Sequence, residues 1–173
     1  MASPKKLSHI VLQTNRRQEM VDWYCAVLGA EVLYDNPHIC FISYDDEHHR
    51  VAFLDPGPLA ERNDKAAGLN HVAFTYAGLD ELTENYLRLK EVGIRPHRCV
   101  NHGVTTSMYY HDPDGNQVEL LIDNFASAIE GNTYMRGRRA SDKNALGVTY
   151  EPDELVERVR AGLRLEELAS IRA

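Results

Sequence analysis

Apolar residues along the chain first alternate in short runs, then recur every three or four positions, then alternate again, and this order occurs twice. Residues 6–14 (KLSHIVLQT) are β-branched and apolar enough for a strand. In 16–30, Met20, Trp23, Tyr24, Val27 and Leu28 recur at helical spacing. Asn15 is placed to cap that helix and Gly29 to stop it. Residues 31–34, 39–44 and 49–54 read as three short strands, separated by Asp35-Asn36-Pro37 and Asp45-Asp46-Glu47. After a charged, Pro- and Gly-containing linker (55–68) the pattern restarts. A strand at 69–76 precedes a helix at 79–92 with Leu79, Leu82, Tyr86, Leu89 and Val92 on one face, ending at Gly93. Strands follow at about 96–101, 105–111 and 117–122, the last two joined by the turn sequence DPDGN.

This is an internal repeat. His9-Ile-Val-Leu aligns with His71-Val-Ala-Phe 62 positions later, whereas Leu28-Gly29 aligns with Val92-Gly93 at 64, so the copies are imperfect. The predicted fold is α+β: two tandem βαβββ modules, about 6–55 and 68–123, forming an open barrel around a cleft. Residues 1–125 make one domain and 126–173 a C-terminal extension. Within the extension, 126–143 reads as loop or short helix. Residues 153–172 read as a surface helix with an interrupted stripe of Leu155, Val156, Val159, Leu163, Leu165 and Leu168. That helix is expected to pack on the barrel or to cover the cleft mouth.

Composition narrows the function. The 173 residues carry 26 acidic and 19 basic side chains, a net charge of −7, which disfavours nucleic acid as a partner. No run is long and apolar enough to span a bilayer, and the short polar N-terminus lacks signal-peptide character, so a cytoplasmic protein is expected. Cys25, Cys40 and Cys99 are three in number and lack CxxC spacing, which argues against a disulfide framework or a zinc-thiolate site. They read as small buried hydrophobes.

Eight histidines are more informative. A lone His in an apolar strand is more often a hydrogen-bonded core residue than a ligand. His9 and His71 occupy equivalent places in a repeat, however, and a pseudo-twofold axis would bring them together. Glu119 lies between Val118 and Leu120, a polar residue at inward parity in an apolar strand. On an edge strand it would simply face water. Combined with two neutral imidazoles it completes a 2-His-1-carboxylate face, which leaves coordination positions open and suits Fe(II) oxygenases.

The motifs LSHIVL, GLNHVAF and YYHDPDGNQVELLID resemble those of the vicinal oxygen chelate superfamily, and within it the one-domain extradiol ring-cleavage dioxygenases. The resemblance covers about residues 6–123. It implies a metal held by His9, His71 and Glu119, and Fe(II) as that metal. DEHHRVAF (46–53) resembles the HH-containing strand of these dioxygenases, which implies an acid/base role for His49. By the same resemblance Tyr109 hydrogen-bonds a substrate oxygen, and His102 falls where a further polar site residue is found. His48 and His49 otherwise read as a polar strand start, and Tyr110, of opposite parity to Tyr109, as a packing residue. His38, His97 and His111 receive no role. Asp123 and Tyr134 are weaker candidates near the tail.

The implied activity is O2-dependent opening of a catechol-type ring, such as a biphenyl-2,3-diol, to a muconic semialdehyde. The partners are then an aromatic diol and O2, in a homo-oligomer. Rival readings within the superfamily are glyoxalase-type lyases or isomerases and resistance transferases, which use other divalent metals. A metal-free protein that sequesters small molecules is a rival of a different class.

Overall fold

The repeat is realised as two open sheets, each with a helix that carries the chain from its first strand past two strand positions, and the last strand of each module returns to lie parallel to the first. The computed structural model describes residues 1–63, 65–139 and 146–169. They form two compact units, residues 1–68 with the turn 112–116, and residues 69–111 with those from 117 onward.

The first unit contains β1 (Ile10–Gln13), α1 (Arg17–Leu28), β2 (Glu31–Asp35), β3 (Ile39–Ser43) and β4 (Val51–Leu54). The sheet order is β1-β4-β3-β2, with β1 parallel to β4 and the other pairs antiparallel. A parallel pair cannot be joined by a tight turn, and here α1 carries the chain from β1 to β2 at the far edge, from which β3 and β4 step back antiparallel to reach β1. The helix packs against β3 and β4, burying Met20, Val21, Tyr24 and Val27, and Ile42, Val51 and Phe53 complete this core. Its end is as expected, because Gly29 takes the left-handed conformation at φ 64°. Its start differs. The Asn15 side chain exchanges hydrogen bonds with the Leu59 backbone, Nδ2 to O at 3.0 Å and Oδ1 from N at 2.9 Å. The residue at the cap position is Arg16, whose own N–H is taken up by Thr14 Oγ1 at 2.8 Å.

The second unit repeats the scheme with β5 (His71–Thr75), α2 (Leu79–Glu91), β6 (Arg98–Asn101), β7 (Thr105–His111) and β8 (Gln117–Asp123). The extension adds α3 (Ala128–Gly137), β9 (Val148–Thr149), α4 (Pro152–Arg160) and α5 (Leu165–Ala169). The sheet order is β5-β8-β7-β6-β9, with β5 parallel to β8. The two-residue strand β9 was not foreseen; it pairs antiparallel with β6. It is entered through Gly147 at φ 99°, where a Cβ would run into the Asn101 carbonyl oxygen. The helix expected over 153–172 is broken into α4 and α5, with Gly162 at φ 90° in the break, and 170–172 lie outside the described residues. α4 packs against α2, burying Leu155 and Val156. Asp153 accepts from the Tyr86 hydroxyl at 2.8 Å and pairs with Lys90 Nζ at 2.6 Å. The mixed segment before it contains α3, capped by Ser127 Oγ, while 140–143 lie outside the described residues.

Cys40 and Cys99 are buried and Cys25 half-buried, all as free thiols. Among the described residues no helix is long and apolar enough to cross a membrane.

Candidate active site

Register in the second sheet sets a row of side chains across four strands. Arg98 pairs with Tyr109, Tyr109 with Glu119, and Glu119 with Ala73. Directly paired residues share a face, so these four lie on one side of the sheet. The alternate residues, among them Met108, Tyr110, Val118, Leu120 and Ile122, are at most 1% exposed and form the core on the other side. Tyr110 is therefore the packing tyrosine, as its parity required.

Glu119 does not face water on an edge. β8 is flanked by β5 and β7, and Glu119 is 5% exposed. A carboxylate buried this far needs compensating partners on both oxygens. Oε1 accepts from the Tyr109 hydroxyl at 2.9 Å, and Oε2 lies 3.0 Å from His71 Nε2. The Tyr109 oxygen is also 2.9 Å from His102 Nε2. Because the tyrosine proton is committed to Glu119, the imidazole donates here. Burial first, and then the hydrogen bond and charge of Glu119, push the Tyr109 hydroxyl up to about 12, against the opposing Arg98 charge. Tyr109 thus stays a proton donor at neutral pH.

The His71 imidazole is oriented from behind. Its Nδ1 lies 2.7 Å from Asn70 Oδ1, so with the amide oxygen turned toward it Nδ1 is the donor. A neutral imidazole has one donor and one acceptor nitrogen. Nε2 then presents a lone pair to a carboxylate oxygen 3.0 Å away. Two acceptors that close need a shared cation, either a proton or a metal ion. Ligand atoms about 2.1 Å from one ion, at a right angle, are about 3.0 Å apart. The pair therefore has the donor chemistry and spacing of two metal ligands.

His9 and His49 come together in the first unit. His9 immediately precedes β1 and is exposed. Its ring centre is 4.3 Å from that of His49, which in turn stacks on Phe41 at 4.6 Å. His48 Nδ1 is 2.6 Å from His49 Nδ1. Burial, and then the charges of His9 and His48, hold His49 below its usual range, favouring the neutral ring.

The sequence-derived residues thus fall into two sets: His71, Glu119, Tyr109 and His102 in the second unit, and His9 with His49 in the first. Among the described residues, neither unit alone assembles three His, Cys, Asp or Glu side chains that could hold a metal. Sequence reading did not single out Asn70 or Arg98. Asn70 adjoins a candidate ligand in GLNHVAF, and Arg98 sits directly across from Tyr109, a position visible only once the register is known. His97 and His111 are exposed and stack on each other at 4.1 Å. Asp123 lies exposed at the end of β8. The Tyr134 hydroxyl lies against Gly103, in the loop after His102.

Residues 6–120 match the family model described as the Glyoxalase/Bleomycin resistance protein/Dioxygenase superfamily, and the chain belongs to that superfamily. Within it, the chain is 47% identical over 172 residues to biphenyl-2,3-diol 1,2-dioxygenase 3 of Rhodococcus globerulus, covering 98% of this chain and 90% of that protein. Biphenyl-2,3-diol 1,2-dioxygenase 2 of the same organism is 45% identical over 171 residues, with the same coverage of both chains. Lactoylglutathione lyase of Agrobacterium tumefaciens shares the fold, with a TM-score of 0.56 at 22% identity over 70% of this chain and 96% of that one.

Proposed function

We propose that the chain is an Fe(II)-dependent extradiol dioxygenase that opens the ring of an aromatic 2,3-diol with O2, giving a muconic semialdehyde. The activity rests on near-full-length kinship to biphenyl-2,3-diol 1,2-dioxygenases. The metal assignment rests on one observation above all: the His71 lone pair facing the buried Glu119 carboxylate, a pair that is neutralised by a cation.

In this reading His71, Glu119 and His9 hold the metal. Bound Fe(II) supplies open positions at which both diol oxygens and O2 can meet, replacing an encounter in solution. Glu119 supplies a carboxylate oxygen to the metal, and the hydrogen bond from Tyr109 orients the carboxylate. Tyr109, protonated at neutral pH with its proton directed at Glu119, offers its oxygen to a substrate hydroxyl, and His102 fixes where that oxygen points. His49, beside His9, accepts a proton from the diol and returns it as the ring opens. The enzyme works as a cytoplasmic homo-oligomer.

Iron content after anaerobic reconstitution tests the ligand assignment. His9→Ala, His71→Ala and Glu119→Ala are expected to lose bound iron while remaining folded by circular dichroism. Full occupancy in any of them contradicts that ligand. His49→Ala is expected to keep iron and lose about 10²–10⁴-fold in kcat.

A further inference from the structure

The chain as a whole carries a charge of −7, and the face bearing Tyr109 and Glu119 holds one fixed positive charge, Arg98. His71, Arg98 and His111 lie on it by register, and His102 reaches it through its bond to Tyr109. The carboxylates on this face are Glu119 and Asp123. Glu119 is already engaged by His71 and Tyr109, and Asp123 stands two rows away at the end of β8.

Arg98 is the fixed charge of the group. Its guanidinium lies over the Tyr109 ring, 4.4 Å from the centre. The residue is exposed, and among the described residues no carboxylate pairs with it. The stabilising contact on the ring holds the head group in place. The planar fork still has N–H donors suited to a carboxylate. Two strand spacings, about 10 Å, separate the Arg98 backbone from that of Glu119. The guanidinium lies within that row, over the ring of Tyr109, which stands between the two.

We propose that Arg98 is a specificity-determining residue that binds an anionic group on the substrate, a carboxylate carried by a short side chain on the aromatic diol. This rests on the dioxygenase reading above and narrows its substrate class from apolar diols to carboxylated ones. The diol oxygens lie at the Tyr109 hydroxyl and the metal ligands. A chain of two or three carbons then carries the carboxylate back along the row to Arg98. A guanidinium so placed also concentrates an anionic substrate at the site, an effect that salt weakens.

The test compares 2,3-dihydroxybiphenyl with 3-(2,3-dihydroxyphenyl)propionate in the iron-reconstituted enzyme, as wild type, Arg98→Gln and Arg98→Lys. The wild type is expected to have the higher kcat/KM for the propionate. Arg98→Gln is expected to lose about 10–100-fold on the propionate, mainly through KM, with the neutral diol changed less than about 3-fold. Arg98→Lys should restore part of the loss. 3-Phenylpropionate, which cannot react, should inhibit turnover of the neutral diol competitively in wild type and lose that inhibition in Arg98→Gln. Equal losses on both diols would mean that Arg98 acts only through Tyr109, and would overturn the proposal. So would a wild type indifferent to the carboxylate. If iron-loaded wild type turns over neither diol, the dioxygenase reading fails and this assignment falls with it.

Discussion

Glu119 shows how one residue can be read for chemistry. An ionised side chain at 5% exposure is costly unless both oxygens are met, and here a tyrosine meets one and an imidazole the other. Tyr109→Phe keeps the packing and removes only the hydroxyl. It is expected to lower kcat/KM by about 10–100-fold and to weaken iron retention during dialysis. Unchanged activity would detach Tyr109 from the site. His71 and Glu119 were legible in the sequence because a polar residue at inward parity in an apolar strand stands out. Asn70 and Arg98 were not. Their contacts depend on a rotamer and on cross-strand register, neither of which a hydropathy pattern encodes.

Elements were legible where local chemistry and tertiary packing agree. The DPDGN turn and the Gly29 helix stop fall where the sequence places them, and all eight module strands and both crossover helices are present. The turn is reinforced by Asp112, whose carboxylate accepts from the Asp114 and Asn116 backbone N–H groups at 3.0 and 2.8 Å. Disagreement arises where a tertiary partner intervenes. Asn15 has the chemistry of a cap, but the Leu59 backbone engages it from 44 residues away. The last apolar stripe spans two short helices because Gly162 takes a positive φ between them. β9 is too short to show any period and exists through its pairing with β6. Gly147→Ala tests that pairing. The left-handed φ and the clash with the Asn101 carbonyl are expected to cost about 2 kcal/mol or more in chemical denaturation. A midpoint equal to wild type would show that β9 contributes nothing.

At the scale of the whole molecule, the extension is an integral part of the second unit rather than an appendage. Leu155, Val156 and Leu168 are at most 4% exposed, and the buried Asn101 side chain donates to the Leu168 carbonyl at 3.1 Å. Truncation after Asn124 uncovers the α2 face and leaves β6 as an edge. The truncated protein is expected to lose its near-ultraviolet circular dichroism and to aggregate. A soluble, cooperatively unfolding product would contradict this. Ring opening by an extradiol dioxygenase consumes O2, so oxygen uptake reads the proposed reaction itself. Protein reconstituted anaerobically with Fe(II) would be mixed with 2,3-dihydroxybiphenyl, 3-methylcatechol and a carboxylated catechol, following O2 and visible absorbance together. One O2 consumed per diol and a yellow ring-fission product are expected. No uptake with any of the diols, by protein shown to hold iron, would contradict the proposed reaction.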